Sequence, residues 1–438
     1  MVSSSREPRV LIVSVNPLSE TSNNGKTIAS FFRGYPKDSL AQLYFHREVP
    51  TSKVCDNYFK ISDEDLFDGL RRGRRPRGRR MHRTDSAERV IPASVNRVLR
   101  RSRVLRLIRA LLWRVVRLDK GEVRAWLDDL SPDVIFFCGG NANYLYREVS
   151  RLARLYNAVI IYYITDDYVL PVRTWNPFEA LERAWTRRRF LETCHESVLV
   201  FTIGEGMSRA YEEKYGVVST PLMNAVAVPT QRPPLPNRGG DRMVFSYVGS
   251  LHSNRWRILL QIATSFERLV ERGVMGELRV YSAEPPSGAL AEALDRPPFV
   301  QYSGALDATG VGRVLEESDV LVHVESDDRA SKMATRLSVS TKIPEYMAAA
   351  RPILAVGPSD VASIAYLDST GTAFIAHPGS GEELDARLAE IISDPVERQI
   401  RAERAWDLAR RNHDEEAVRT QFQAALRALR LPGKGPSR

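Results

Sequence analysis

Short apolar runs recur along this chain, each followed by a polar turn and a stretch of helical periodicity. That rhythm constrains the fold more than any other feature. The runs at 10–15, 134–138, 158–164, 197–203, 243–248, 278–281, 300–302, 319–325 and 372–376 read as strands, and the first, with few polar breaks, predicts one buried on both faces. Alternation with helices predicts mostly parallel, doubly wound α/β sheets. One segment interrupts it. Residues 229–240, Pro-Thr-Gln-Arg-Pro-Pro-Leu-Pro-Asn-Arg-Gly-Gly, lack periodicity and read as a linker. The expected division is a first domain over 1–229, a second over 241–400 and a helical segment over 401–431, which 438 residues accommodate.

The stretch Ser340-Thr341-Lys342-Ile343-Pro344-Glu345-Tyr346 reads as a polar turn entering a short helix, with a tight break at Arg351-Pro352 before the strand 353–357. Pro344 is tolerated only in a first helical turn, where its missing N–H has no partner to lose. Ser340 and Thr341 then lie at the capping end, where free backbone N–H groups carry a partial positive charge. With Lys342 beside it, such an end suits a phosphate. The Glu345 carboxylate, a turn inside, can accept hydrogen bonds from ribose hydroxyls. An ordinary crossover helix with polar caps would carry the same residues.

The stretch resembles the donor-binding segment of sugar-nucleotide glycosyltransferases with the two-Rossmann-domain (GT-B) architecture, especially the family-4-like group. Those enzymes carry Glu-x7-Glu, Ala-rich sequence, a Gly-x-Pro break and an apolar strand. Glu345 matches the second glutamate, which in that family binds the ribose. The first falls on Leu337, and Ala350 stands in place of the glycine, as in a divergent branch. The loop 249–255 resembles the family's Gly-Arg-Leu-x-x-x-Lys, whose cations hold the donor diphosphate. Gly249 and Leu251 match, Arg255 takes the lysine position, Ser250 replaces arginine, and Lys342 is placed to replace that charge.

The resemblance implies two Rossmann-like doubly wound domains facing across a cleft, with the C-terminal helix returning to the first. It implies transfer of a sugar from a nucleotide-diphosphate donor to a saccharide or lipid-linked acceptor, in cell-surface polysaccharide or glycolipid assembly. The donor is a substrate, and no cofactor or divalent metal is implied. Nucleotide-sugar epimerases share the layout, and a non-catalytic, membrane-tethered nucleotide-sugar binder would keep the same cleft.

In open α/β sheets ligands bind at the carboxyl ends of strands. Asp166 and Asp167 follow the run 158–164, where either can orient or deprotonate an acceptor hydroxyl, or cap a turn. Glu325 ends the run 319–325 and is expected to contact the donor sugar or base; His323 is expected in the core. Residues 326–338 read as a long polar loop. Gly25-Lys26-Thr27 suggests a P-loop, which requires a glycine where this chain has Glu20. The resemblance instead places Gly25 and Lys26 in a glycine-bearing loop lining the cleft.

The net charge of +9 is local: residues 71–119 hold 17 Arg and no Lys, against Asp85, Glu88 and Asp119. Like-charge repulsion predicts an irregular run over 71–80. A helical segment starts near 94. Over 103–118, Val104, Leu107, Ile108, Leu111, Val115 and Leu118 share one half and Arg103, Arg106, Arg109, Arg114 and Arg117 the other, with Trp113 the exception. Such a helix over 94–118 fits an anionic membrane surface, at roughly 1 kcal/mol per cation. It equally fits a surface helix with its apolar half on the domain core. No stacking aromatics interleave the arginines, so nucleic acid is not an expected partner. Cys55, Cys138 and Cys194 have no ligand spacing and suggest a reducing compartment. The first apolar run is too short for a signal peptide, and no run reaches a bilayer's width. A cytoplasmic protein, peripheral on the inner face of the plasma membrane, is the resulting expectation.

Overall fold

The computed structural model describes residues 6–20, 23–71, 78–82, 113, 117–170, 177–236 and 242–432. The chain forms two compact units, Met1–Leu222 with Arg419–Arg438, and Met223–Val418. The division falls before the Pro-rich segment, because Val226 is tied to the second unit: its N–H donates to His413 O at 2.8 Å, and its carbonyl accepts from Glu415 N at 3.0 Å.

The first unit is built on an eight-stranded sheet: β1 (Val10–Ser14), β2 (Leu40–Tyr44), β3 (Tyr58–Lys60), β4 (Arg79–Met81), β5 (Val134–Cys138), β6 (Val159–Ile164), β7 (Ser197–Thr202) and β8 (Thr220–Pro221). The order is β4-β3-β2-β1-β5-β6-β7-β8, and every pairing is parallel except β3 with β4. Every residue of β1 and β5 is buried, as their unbroken apolar sequence requires. The C-terminal segment closes this core. Phe422 packs within 5.0–5.6 Å of the rings of Phe31, Phe32 and Phe136, and Gln423 Nε2 donates to the carbonyls of Phe31 and Arg33.

The second unit holds six parallel strands: β9 (Met243–Val248), β10 (Gly276–Tyr281), β11 (Val300–Gly304), β12 (Val320–Val324), β13 (Ile353–Val356) and β14 (Phe374–Ala376), in the order β11-β10-β9-β12-β13-β14. Both faces are covered. Val320, Val322 and Val324 of β12 join one apolar layer with Ile258, Ile262 and Phe266 of the helix Arg255–Val270. Leu321 joins the opposite layer with Ile343, Tyr346 and Ala405. Period-two alternation thus feeds two cores from one strand, the doubly wound arrangement expected.

Several local expectations are corrected. The C-terminal segment is two helices, Pro395–Asn412 and Glu415–Arg427. They break at buried His413, whose ring atoms lie 3.0 Å from Asn224 O and 2.8 Å from Tyr366 Oη, while Asp414 caps the second helix. The polar stretch 326–338 contains the helix Arg329–Thr335, capped by the Asp328 carboxylate. Trp113, the exception in the helical projection of 103–118, is buried in the first unit. Its Nε1 donates to Asp63 at 2.8 Å, and its ring stacks on Tyr144 at 4.2 Å. Leu118 is also buried, and exposed Arg117 pairs with Asp119. The remaining arginine-rich positions 72–77, 83–112 and 114–116, with linker residues 237–241, lie outside the described residues. Among the described residues, no helix is long and apolar enough to cross a membrane.

Candidate functional site

In the second unit the strand order reverses between β9 and β12, the kind of switch point at whose strand carboxyl ends ligands bind in open α/β sheets. The seven residues singled out in this unit lie on the loop after β9, at the end of β12 and around the helix Lys342–Ala348, ahead of β13. Tyr247, buried at the end of β9, donates its hydroxyl to Ser250 O at 2.6 Å and pins the loop. Ser253 and Asn254 both take left-handed backbone at φ 57°, turning the chain sharply into the helix Arg255–Val270. Asn254 Nδ2 then donates to Asp328 at 3.1 Å, tying this loop to the helix Arg329–Thr335. Hydrogen bonds from Ser331, then Ser326 and Asn254, hold the Asp328 carboxyl well below its ordinary range.

Arg255 Nη2 lies 3.1 Å from Glu325 Oε2, and His323 Nε2 lies 3.2 Å from the other carboxylate oxygen. Glu325 is 3% exposed. Burial alone would raise its pKa; the interactions with His323 and then Arg255 outweigh burial and hold it at about 2. Glu325 is therefore an ionised clamp on the Arg255 guanidinium, and His323 is buried as expected.

Lys342 reaches the same place from the other side. Its ammonium lies 5.3 Å from the centre of the Tyr247 ring, packed against Gly249 so closely that a Cβ there would overlap Nζ. Burial first, then the charge of Arg255, lower its pKa to about 8, against partial compensation from Glu325 and Glu345. Tyr346, four residues on, is buried with its hydroxyl 3.4 Å from the backbone N and O of Val248, which seats the helix against the end of β9. The helix entry is weaker than expected. Thr341 is exposed and makes no side-chain cap, and Ser340 Oγ accepts from Lys342 N at 3.4 Å. Glu345 is partly buried in the first turn. Sequence reading missed Tyr247, Asn254, Asp328 and Tyr346, whose parts depend on partners far along the chain.

The first unit has its own reversal, between β1 and β5. A cavity of about 250 Å³ lies there, lined by Ser14 at the end of β1 and Asn16 beyond it, Asn141 after β5, Asn24 on the helix Asn23–Phe31, and Asp166 and Tyr168 after β6. The two adjacent acids separate. Asp166 borders the cavity and accepts from Thr165 Oγ1 at 3.1 Å and the Tyr168 hydroxyl at 3.2 Å. Asp167 turns away, accepting from Val169 N, Leu170 N and the Tyr211 hydroxyl at 3.0–3.1 Å. It holds the turn that presents Asp166. Gly25 is spatially constrained, since a Cβ would collide with Pro17 O; Lys26 is exposed.

No protein-family model and no curated protein sequence matches the chain. Solved structures do. Anabaena Alr3699/HepE, in complex with UDP, aligns with a TM-score of 0.60 at 12% identity, covering 96% of this chain and 100% of that one. An α,α-trehalose-phosphate synthase (UDP-forming) from Burkholderia vietnamiensis gives 0.58 at 14% identity, with 96% and 100% covered. Sucrose-phosphate synthase from Thermosynechococcus elongatus gives 0.62 at 12%, with 96% and 98% covered. Together with the two doubly wound sheets, these likenesses identify the fold of this chain as GT-B.

Proposed function

We propose that the chain is a glycosyltransferase that moves a sugar from a nucleotide-diphosphate donor to a saccharide acceptor. The observation that carries this reading is the pair of cations at the end of β9: the Lys342 ammonium seated against Gly249 and Arg255 clamped by Glu325. A diphosphate at these strand ends would meet two positive charges already partly buried and oriented, which are worth more there than in water. The likeness to proteins solved with UDP or described as UDP-forming supports a nucleotide diphosphate as the ligand. Glu345 accepts from the ribose, with Ser340 and Thr341 beside the phosphates.

In the reaction, the bond from the anomeric carbon to the β-phosphate oxygen breaks. Arg255 and Lys342 stabilise the charge gathering on the departing diphosphate. The acceptor hydroxyl oxygen forms the new glycosidic bond, and its proton passes to the carboxylate of Asp166. Glu325 acts through Arg255, and Asp167 through the turn bearing Asp166. The two cations supply the compensating charge, so the proposal includes no divalent metal. A lipid-linked acceptor in surface-glycan assembly, with the arginine-rich segment against an anionic membrane, extends the same reading.

The test is release of nucleoside diphosphate from a panel of UDP- and GDP-sugars, with and without saccharide acceptors. Acceptor-dependent release that falls at least tenfold in Lys342→Ala and Glu345→Ala is expected. Conversion of the donor sugar without any acceptor would indicate an epimerase. Nucleotide binding without turnover across the panel would indicate a non-catalytic binder.

A further inference from the structure

We infer that the cavity of the first unit takes a neutral, hydroxyl-rich sugar ring and discriminates against phosphorylated sugars. The inference rests on the transferase reading for what the ring is used for, but its argument is confined to the cavity. Asn16, Asn24 and Asn141 bring amides that both donate and accept, and Asp166 brings a carboxylate that only accepts. A sugar hydroxyl does both and can satisfy this mixture. Ile28 and Tyr168 add apolar surface for the C–H face of a ring.

A phosphate monoester has only acceptors to offer and carries close to two negative charges. Among the described lining residues there is no lysine or arginine to receive it, and Asp166 would repel it. Cys138 also borders the cavity, but burial pushes its thiol up to about 12, so it stays neutral. Lys26 does not rescue the phosphate. Asn24 and Ile28 are four residues apart on one helical face, and Lys26, midway between them, points to the opposite, exposed side. About 250 Å³ lies below the roughly 300–1,000 Å³ of drug-sized pockets, and so matches one ring and not an oligosaccharide.

The test is binding of the full-length protein to an array carrying neutral glycans beside their 6-phosphorylated and uronate counterparts. At least one neutral glycan is expected to be retained tenfold or more above its phosphorylated form. Asn24→Leu should reduce that retention at least tenfold, and Asp166→Lys should shift preference toward the phosphorylated form. Equal or better retention of phosphorylated sugars by the unmodified protein would overturn the inference, with no variant needed. So would failure to retain any neutral glycan, or retention indifferent to both substitutions. Thermal stabilisation by UDP and GDP on the same samples reports the donor reading separately. A nucleotide response without neutral-glycan retention sinks this inference alone, and retention without a nucleotide response sinks the donor reading alone.

Discussion

Replacing Lys342 with methionine is predicted to stabilise the ligand-free protein while removing its response to nucleotide. The side chain is partly buried, lies over Tyr247 and against Gly249, and makes no ion pair with a described residue. Burial and Arg255 lower its pKa from 10.5 to about 8, a drop worth about 3 kcal/mol against the folded, ligand-free state at neutral pH. The sign follows from proton uptake. Between pH 8 and 10.5 the unfolded chain binds the proton that the folded chain has lost, so wild-type stability rises over that window. Methionine has similar length, keeps contact with the Tyr247 ring and carries no charge to desolvate. Urea denaturation at pH 7 and pH 10 should therefore find Lys342→Met more stable than wild type by about 1–3 kcal/mol at pH 7, the gap narrowing at pH 10. UDP or GDP at a hundredfold excess over Kd should add about 2.7 kcal/mol to the wild type and much less to the variant. A variant less stable than wild type at pH 7, or one retaining the full nucleotide response, would refute the reasoning.

Glu325→Gln should behave oppositely. The carboxyl drops from 4.5 to about 2 in the fold, so it contributes about 3 kcal/mol above pH 4.5 that is lost as pH falls toward 2. The variant should be less stable at pH 7 by about that amount, with the difference shrinking in acid; a pH-independent gap in urea titrations would count against the clamp. Gly249→Ala should displace the end of Lys342 and press on the buried Tyr247 hydroxyl, lowering Tm and abolishing most of the UDP or GDP stabilisation, both read by thermal shift. Ala350 sits at φ 52°, where alanine is strained by roughly 1–2 kcal/mol. Ala350→Gly should stay within about 1 kcal/mol of wild type, whereas Ala263→Gly, buried in a helix, should cost about 2 kcal/mol in the same urea assay.

The elements that sequence made legible are those whose information is local. The apolar runs at β1, β5 and β12 read as strands and appear with every residue buried, while β9 is buried over its four central residues. Ala350, read only as a departure from the resembled family's glycine, takes the left-handed backbone a glycine would favour. What escaped depends on pairings that only the sheet order creates. Arg255 and Glu325 are 70 residues apart and meet because β9 and β12 are neighbours. No periodicity in either segment announces an ion pair, so the Arg255–Glu325 pairing was not foreseen. Asp166 and Asp167 are equivalent in sequence; the Tyr211 hydroxyl, 44 residues on, and two backbone N–H groups single out Asp167 as the structural one. The short strands β3 and β4 were missed because three residues leave no alternation to read. Trp113, the exception in the helical projection, is buried against Tyr144, a partner that no projection of 103–118 can show.

The central claim is that Arg255 and Lys342 grip a diphosphate at the end of β9. A crystal structure of the protein soaked with UDP or GDP tests it directly. Phosphate oxygens are expected within hydrogen-bonding distance of Lys342 Nζ and the Arg255 guanidinium, with the ribose at Glu345. Nucleotide seated elsewhere, with Lys342 still packed against Gly249 and no phosphate beside it, would contradict it.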